Sequence, residues 1–269
     1  MLGYIISDKE EINVENYEIQ SFDILHKTDL NIFVIENNKV LYKNNIINNA
    51  CKCGHVQVLE WFKNSGYEFK YDEWAINYAS MNGHIQVLEW FKNSEYKFKY
   101  NERAINYASI NGNIQVLEWF KNSGYEFKYD EDAIYYASSY GRVKVLEWFK
   151  NSSYEFKYNE WAINNASLNG HIEVLEWFKN SNYEFKYNEW AINWASQHGH
   201  FKVLDWFKNS CYKFKYTNDV FKSSYFKILK FFSINFNVKK LIKFSNEIIF
   251  KKTIKFKIHN KYLKGYQKN

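Results

Sequence analysis

The sequence predicts an all-α fold: a solenoid of helical hairpins with short extended connectors and a cap at each end. Two observations carry this prediction. The segment GHIQVLEWFKNS, or a close variant, returns every 29 residues (Gly54 to Gly83, for example), and a fixed period of about 20 to 50 residues is typical of stacked repeats. Each period also holds two short segments with apolar residues at helical spacing, separated by a glycine.

The repeat is strict at two positions. Its glycines are Gly54, Gly83, Gly112, Gly141, Gly170 and Gly199. Its tryptophans are Trp61, Trp90, Trp119, Trp148, Trp177 and Trp206. Aligned on the glycines, the six units run over residues 45–73, 74–102, 103–131, 132–160, 161–189 and 190–218. We expect an N-terminal cap over residues 1–44, the repeats over 45–218, and a degenerate repeat, C-terminal cap and basic tail over 219–269.

Each unit opens with a short predicted helix, which in the second unit runs from Glu73 to about Asn82. Ala75 and Ala79 share one face of it, where small side chains let neighbouring hairpins approach closely. Asp72 comes just before this helix and is a good N-cap, because its side chain accepts a hydrogen bond from a free backbone N–H. The same slot holds Asn101, Asp130, Asn159, Asn188 and Thr217.

A second predicted helix follows the glycine and runs from about His84 to Asn93 in the second unit. Burying Trp90 removes about 150–250 Å² from water, a gross gain of about 4–6 kcal/mol, so we expect the six indoles to form a shared interior. The position that closes this helix holds Gly66, Gly124 and Asn182 in other copies. These residue types favour a left-handed turn. The segment Tyr-Glu-Phe-Lys-Tyr then predicts an extended connector with one packed face.

Three features of the unit are shared with a known family: the Ala-x-x-x-Ala spacing from Ala75, the Gly-His turn at Gly83 and the V-L-x-x-F segment from Val87. In these features the unit resembles an ankyrin repeat. Ile76 and Ala79 match the Thr-Pro-Leu-His-x-Ala core of that family, whereas its threonine, proline and histidine are absent. The unit is about four residues shorter than the standard one of about 33, and the shortening falls where ankyrins project a β-hairpin finger. We therefore expect no full finger.

The resemblance covers about residues 45–218, with a weaker half-unit at 226–236 in which Phe231 takes the place of Trp90. The shortened unit with LEWFKNS is similar to the ankyrin-type families of giant DNA viruses of amoebae and of amoebae themselves. This resemblance implies a host-facing protein and no known activity.

The charge is distributed unevenly along the chain. The formal net charge is +6, but residues 218–269 hold 13 lysines and two acids, a net of +11, which leaves −5 on residues 1–217. Three cysteines, Cys51, Cys53 and Cys211, fit a reducing compartment better than a disulfide framework. The N-terminus lacks a secretory-signal pattern, and no run approaches about 18 apolar residues. We expect an intracellular, cytoplasmic protein (in the host-cell cytoplasm if viral) with no transmembrane segment.

Repeated polar residues raise the question of catalysis or metal binding. The histidines that follow the glycines are His55, His84, His171 and His200. Stacked helices lie roughly 8–10 Å apart, so we expect a ladder that braces the turns and no metal site. Cys51 takes the slot of Ser80, which favours a small packed residue. The acids beside the tryptophans are Glu60, Glu89, Glu118, Glu147, Glu176 and Asp205, each with a lysine three residues on.

That spacing predicts a solvated, salt-bridged outer face for these acids. The sequence contains no nucleophile elbow, phosphate loop or zinc-protease motif. We therefore predict no catalysis and no cofactor.

Three slots of the first helix differ between copies and are free to serve a ligand. They give a candidate partner surface of Trp74, Tyr78, Arg103, Tyr107, Asp132, Tyr136, Trp161, Trp190 and Trp194. Trp, Tyr and Arg dominate interface hot spots, so the sequence predicts a non-catalytic protein–protein interaction scaffold with an unidentified protein partner. The alternative is that the aromatics at positions 74, 161 and 190 pack on the connector aromatics and that the variation is drift.

The tail over residues 237–269 supports a different function. It alternates lysine with isoleucine, phenylalanine and tyrosine, a pattern that binds single-stranded nucleic acid or an anionic membrane. The simpler interpretation is a lysine-rich end cap with a solvated tail.

Overall fold

The computed structural model describes residues 2–7, 11, 13–16, 18–21, 31–36, 39–42, 44–222, 231–232 and 234–235. Twelve α-helices lie in this part of the chain, and consecutive helices pack in pairs, so the protein is a helical-repeat solenoid of the predicted all-α class. The helices are α1 (Ile46–Cys53), α2 (Val56–Ser65), α3 (Trp74–Asn82), α4 (Ile85–Asn93), α5 (Arg103–Asn111), α6 (Ile114–Ser123), α7 (Asp132–Ser139), α8 (Val143–Asn151), α9 (Glu160–Leu168), α10 (Ile172–Asn180), α11 (Glu189–Gln197) and α12 (Phe201–Asn209). The chain divides into two compact units, residues 1–158 (unit 1) and residues 159–269 (unit 2).

The N-terminal segment carries an antiparallel sheet that the sequence analysis did not predict. Its strands, in spatial order, are β1 (Leu2–Ser7), β2 (Asn31–Glu36) and β3 (Lys39–Tyr42). Ile5 and Ile35 are buried together in its small core. Tyr4 is also fully buried, and its ring lies against Trp61 of α2 with the centroids 4.9 Å apart. The sheet therefore packs on the first repeat.

Each repeat buries the same small set of side chains. In the second repeat the set includes Ala75, Ile76 and Ala79 of α3 with Leu88 and Phe91 of α4. The equivalent residues of the later repeats are buried as well. The alanines allow the first helices of neighbouring repeats to pack more closely than the second helices do. Phenylalanine, and not tryptophan, fills the centre of the repeat.

The tryptophans lie at the edge of this core, which corrects the prediction that all six form the interior. Trp61 and Trp90 are buried, but the remaining four are half-buried. The hydrogen bond of the indole does not decide which rings are half-buried, because Nε1 of the buried Trp90 donates a 2.6 Å hydrogen bond to Oε1 of Glu60 in the preceding repeat. The same bond joins the half-buried Trp119 to Glu89, Trp148 to Glu118 and Trp206 to Glu176. These indoles therefore keep their polar atom at the edge of the core, next to a carboxylate.

The prediction of a solvated, salt-bridged face for these glutamates was therefore incomplete. In unit 2, Lys179 makes the expected ion pair with Glu176 at 3.6 Å, and its ammonium also lies 5.9 Å from the centroid of the Trp206 ring. In unit 1, Lys92 lies over Trp119 and Lys121 over Trp148. The second helices α4, α6 and α10 thus each give the next repeat an acceptor for its indole N–H and a cation for its indole face. We call this arrangement the Glu–Trp–Lys ladder.

The ladder ends differently at its two sides. Trp61 belongs to the first repeat, so no earlier repeat supplies a glutamate, and its indole N–H donates to the hydroxyl oxygen of Tyr4 instead. At the other end Asp205 replaces glutamate, and Phe231, which has no N–H, stands in the tryptophan slot and packs on Phe214. Asp205 has no hydrogen-bond partner among the residues that the structure describes. Glutamate, the longer acid, thus occupies this position where the next repeat carries a tryptophan, and aspartate occupies it where phenylalanine takes the tryptophan slot.

The connectors have the packed aromatic face that the sequence predicts. Phe69 stacks on both Trp90 and Tyr96, with centroid distances of 5.5 and 4.0 Å. The hydroxyl of Tyr71 donates a 2.6 Å hydrogen bond to the carbonyl of Lys97 in the next connector. The same stacking recurs at Phe98, Phe127 and Phe185. These four connectors are therefore held by the repeat that follows them.

The predicted capping side chains make the expected hydrogen bonds, although Asn159 and Asn188 are N-caps while α3, α5 and α7 begin one residue later, after Glu73, Glu102 and Glu131. They also join neighbouring repeats. Oδ1 of Asp72 accepts a 3.0 Å hydrogen bond from the backbone N–H of Trp74. The other caps do the same at Asn101, Asp130, Asn159, Asn188 and Thr217. In addition, the buried Asn77 donates a 2.9 Å hydrogen bond to the Asn101 side chain. One polar residue thus starts a helix and binds the previous repeat.

The helix exits confirm one prediction and correct another. Gly66 and Gly124 have φ of 74° and 84°, the left-handed conformation expected of them. Asn182 does not adopt this conformation. In the described part of the chain, Asn45 is the one non-glycine residue with positive φ. In the Asn182 copy the helix ends at Ser181 in extended conformation. A serine hydroxyl at this position bonds the last turn in every copy, so the left-handed residue is not required.

Candidate functional site

In unit 1 the varied first-helix slots bring aromatic rings together. Trp74 at the start of α3 lies against Tyr78, with the centroids 5.0 Å apart, and against Tyr107 of α5 at 6.2 Å. Tyr107 contacts Tyr136 of α7 at 6.1 Å. The guanidinium carbon of Arg103 lies 5.3 Å from the centroid of the Trp74 ring. These four rings are half-buried, and Arg103 covers one of them.

Two further charged residues belong to this surface in unit 1. The ammonium of Lys52 lies 5.4 Å from the centroid of the Tyr78 ring. Asp132 is half-buried at the start of α7, and its burial, together with the charges of Asp130 and Glu131, raises the pKa of its carboxyl above the usual range. The basic side chains of this surface therefore lie over aromatic rings, while three acidic residues lie next to one another at the start of α7.

In unit 2 the same slots hold three tryptophans in contact. Trp161 of α9 stacks on Trp194 of α11 with the centroids 5.8 Å apart, and Trp190 lies 5.2 Å from Trp194. Trp161 and Trp190 remain 42% and 36% exposed, although indole is among the largest apolar side chains. We call Trp161, Trp190 and Trp194 the unit 2 aromatic surface. Their indole N–H groups have no hydrogen-bond partner among the described residues.

The difference between the two units follows from the slot 29 residues further along the chain. Trp74 is followed at this spacing by Arg103, whose guanidinium lies on the ring. Trp161 is followed by Trp190, which leaves both indoles open. A second slot acts in the same direction, since Lys52 covers Tyr78 whereas the corresponding residue before Trp194 is the uncharged Leu168.

The electrostatic environment of the unit 2 aromatic surface is acidic. Glu160 directly precedes Trp161, and Glu189 directly precedes Trp190, at the first positions of α9 and α11. These two helices contain no lysine and no arginine. The surface thus combines exposed indole faces with carboxylates and has no cation of its own in either helix.

The alternative that the aromatics at positions 74, 161 and 190 pack on the connector aromatics was wrong. Trp74, Trp161 and Trp190 contact rings of the first helices instead. The sequence analysis also missed two features of this face. Lys52, which is not in the candidate surface predicted above, lies over the Tyr78 ring, and Tyr140 after α7 is 49% exposed. Comparing each slot with its equivalent one repeat later would have indicated the role of Lys52.

The residues that follow the repeat glycines join adjacent repeats. Nε2 of His84 lies 3.0 Å from the carbonyl oxygen of Lys52, where the first helix of the preceding repeat ends. Asn113 and Arg142 reach the equivalent carbonyls of Met81 and Ile110 at 2.7 and 2.8 Å. Burial lowers the pKa of His200, and a hydrogen bond to the Leu168 carbonyl opposes that shift. The histidines are thus one of three side-chain types that make the same bond.

The cysteines and carboxylates do not converge on a centre. Cys51 is fully buried in the serine slot, and burial raises the pKa of its thiol, so it is a poor nucleophile. No group of three or more histidine, cysteine, aspartate or glutamate side chains in the described residues is placed to hold a metal ion. Open grooves lie between successive second helices, but their walls are ladder residues such as Glu118, Trp119 and Lys92, which already have partners.

The basic tail over residues 237–269 lies outside the described residues, so its predicted binding to nucleic acid or membrane stays a prediction. None of the described helices has the length and apolar character that crossing a membrane requires. Comparison with protein-family models and with curated proteins finds no match to the chain.

Proposed function

We propose that the chain is a non-catalytic protein–protein interaction scaffold of the ankyrin-like type, in which the first helices carry the binding surface. The observation that carries the proposal is the unit 2 aromatic surface. Two of its tryptophans are exposed, and their indole N–H groups have no acceptor in the part of the chain that the structure describes, whereas Trp90, Trp119 and Trp206 of the second helices donate to glutamates. Large exposed aromatic groups in contact are typical of interaction sites.

The polar residues of the repeats support the absence of catalysis in this proposal. The glutamates of the ladder accept indole hydrogen bonds, and His84, Asn113 and Arg142 bind backbone carbonyls. These side chains have structural partners and need no substrate to explain their positions. An intracellular, host-directed role belongs to the proposal through the resemblance to ankyrin-type families of giant viruses.

Affinity capture with the full chain as bait, followed by mass spectrometry, tests this function. The double substitution Trp161→Ala/Trp190→Ala removes the two exposed indoles, and a hot-spot tryptophan contributes about 2 kcal/mol or more. We expect the captured partner to be lost, since each such loss weakens binding roughly 30-fold. Equal recovery of the same proteins by the wild-type chain and the double variant would contradict the proposal.

The matched control is Phe201→Ile. Phe201 is 40% exposed on α12 of the same unit, and isoleucine is the residue that the repeat itself uses at this position in α4, α6 and α10. This variant removes an exposed aromatic group away from the first helices. We expect it to capture the same partner as the wild-type chain.

A further inference from the structure

We propose that the unit 2 aromatic surface binds a basic, arginine-bearing peptide segment of its protein partner. The inference rests on the proposed function and adds the chemistry of the ligand. Its first support lies within the chain itself, since unit 1 shows what covers an indole in this slot. There the guanidinium of Arg103 lies 5.3 Å from the centroid of the Trp74 ring.

Unit 1 repeats this chemistry at a second ring of the same face. The ammonium of Lys52 lies 5.4 Å from the centroid of the Tyr78 ring. A cation over an aromatic face is attracted by the ring quadrupole, and arginine over tryptophan is the favoured pair. In unit 1, therefore, Arg103 and Lys52 both lie over aromatic rings of the first helices.

The first helices α9 and α11 of unit 2 have the rings and contain no basic residue. Trp161 and Trp190 are 42% and 36% exposed, and α9 and α11 contain no lysine or arginine. Glu160 and Glu189 directly precede these two tryptophans in the chain and place negative charge in the first turns of α9 and α11. This charge favours the approach of a cationic peptide to the exposed indoles.

The spacing of the surface fits a short extended peptide. Neighbouring helices lie about 8–10 Å apart, and residues two apart in an extended chain are separated by roughly 7 Å. Arginine side chains at alternate positions can therefore reach Trp161 and Trp190 together. The free indole N–H groups offer donors to the carbonyls of the same peptide.

The binding test uses the full chain and a defined probe, an acetylated and amidated octapeptide of alternating arginine and glycine. Isothermal titration calorimetry compares it with the same peptide carrying citrulline, which keeps the shape and removes the charge, and with a glutamate version. We expect the arginine peptide to bind at least about tenfold more tightly than the citrulline peptide. Equal affinity of the two, or preference for glutamate, overturns the proposal.

Two substitutions that exchange the residue types of positions 103 and 190 distinguish a loss of cation binding from a general loss of folding. Trp190→Arg gives unit 2 the pair that Arg103 and Trp74 form in unit 1, so we expect the variant to cover Trp161 itself and to lose peptide binding. Arg103→Trp removes the cover from Trp74, and we expect it to add a second binding site. Thermal unfolding monitors the fold of each variant. If Trp190→Arg does not fold, Glu160→Gln/Glu189→Gln replaces it, and we expect this variant to bind the arginine peptide more weakly than the wild-type chain does.

Two outcomes distinguish this inference from the proposed function. If capture of the partner depends on Trp161 and Trp190 while the arginine peptide fails to bind, the surface is an interface but its ligand is not basic. If a synthetic peptide of residues 248–269 displaces the arginine probe at lower concentration than the probe itself binds, the surface serves the lysine-rich end of this chain. That result would overturn the inference of a separate partner.

Discussion

The two helices of the repeat use tryptophan in opposite ways. On the second helix the residue comes back in every copy, and in unit 1 Trp90 and Trp119 each donate to a glutamate of the preceding repeat. In unit 2, Trp161 of α9 and Trp190 of α11 occupy varied slots and are exposed, and their indole N–H groups donate to no described residue. In a repeat protein, identity between copies marks the groups that hold the stack, and variation marks the groups that are free for a ligand.

The largest expected effect is the loss of a ladder tryptophan. Trp119→Ala removes a half-buried ring that stacks on Phe98 and donates to Glu89, so we expect a destabilisation of about 3 kcal/mol. Urea unfolding followed by far-UV circular dichroism measures it. Trp161→Ala is the matched control on the other face, where the ring is 42% exposed and Trp194 is the one aromatic ring that it contacts among the described residues, so the expected cost is no more than about 1 kcal/mol. Equal costs would remove the distinction between the faces.

A smaller effect tests the hydrogen bond of the ladder itself. A double-mutant cycle of Glu89→Ala and Trp119→Phe isolates the carboxylate–indole interaction, and we expect a coupling energy of about 1 kcal/mol. Asp205→Ala is the control, because Phe231 follows it and offers no N–H. We expect that control to change stability by less than about 0.5 kcal/mol. A coupling near zero for the first pair would mean that the bond in the structure contributes no stability.

The sequence predicted the elements whose rules are local. The N-cap at Asp72, the glycine turn at Gly83 and the two helices between the connectors follow from residue type and short-range spacing. The sequence did not predict that Glu60 meets Trp90, because that contact joins residues in different repeats and depends on how neighbouring repeats stack. Periodicity shows that such contacts repeat and does not show which atoms meet.

The N-terminal sheet was missed for a different reason. Residues 1–44 occur once, so no second copy strengthens a weak pattern. The strands LGYIIS and NIFVIE consist largely of β-branched and aromatic residues, which are typical of strands. The prediction relied on the 29-residue period, which residues 1–44 lack, so these residues were assigned to a cap without predicted strands.

The sequence predicted which positions form the candidate surface but did not predict how exposed their side chains are. Trp74 and Trp161 occupy the same slot, yet one lies under Arg103 and the other is open. Exposure therefore depends on the residue one repeat later, Arg103 in unit 1 and Trp190 in unit 2. The exposure of an aromatic residue in this slot can therefore be predicted only together with the residue 29 positions further along the chain.

The smallest expected effect concerns pH and the residues that follow the glycines. Burial lowers the pKa of His200 below its ordinary value of 6.5, and the nearby His198 and His171 add to the shift, so the folded chain binds fewer protons than the unfolded chain just below pH 6.5. Stability therefore falls as the pH drops from about 6.5 through the lowered pKa. His200→Asn removes the titration and keeps a donor, as Asn113 does when it bonds the Met81 carbonyl at 2.7 Å.

We expect the loss of stability between pH 7 and pH 5 to be smaller in His200→Asn than in the wild-type chain, with little difference between the two at pH 7. Urea midpoints at the two pH values measure it. His198→Asn is the control, since His198 is exposed and makes no bond to another repeat in the described residues. If both substitutions flatten the pH dependence equally, the bond of His200 to the preceding repeat is not its source. Trp161 and Trp190 are left intact in each variant, so binding by the unit 2 aromatic surface should persist while the stack weakens in acid.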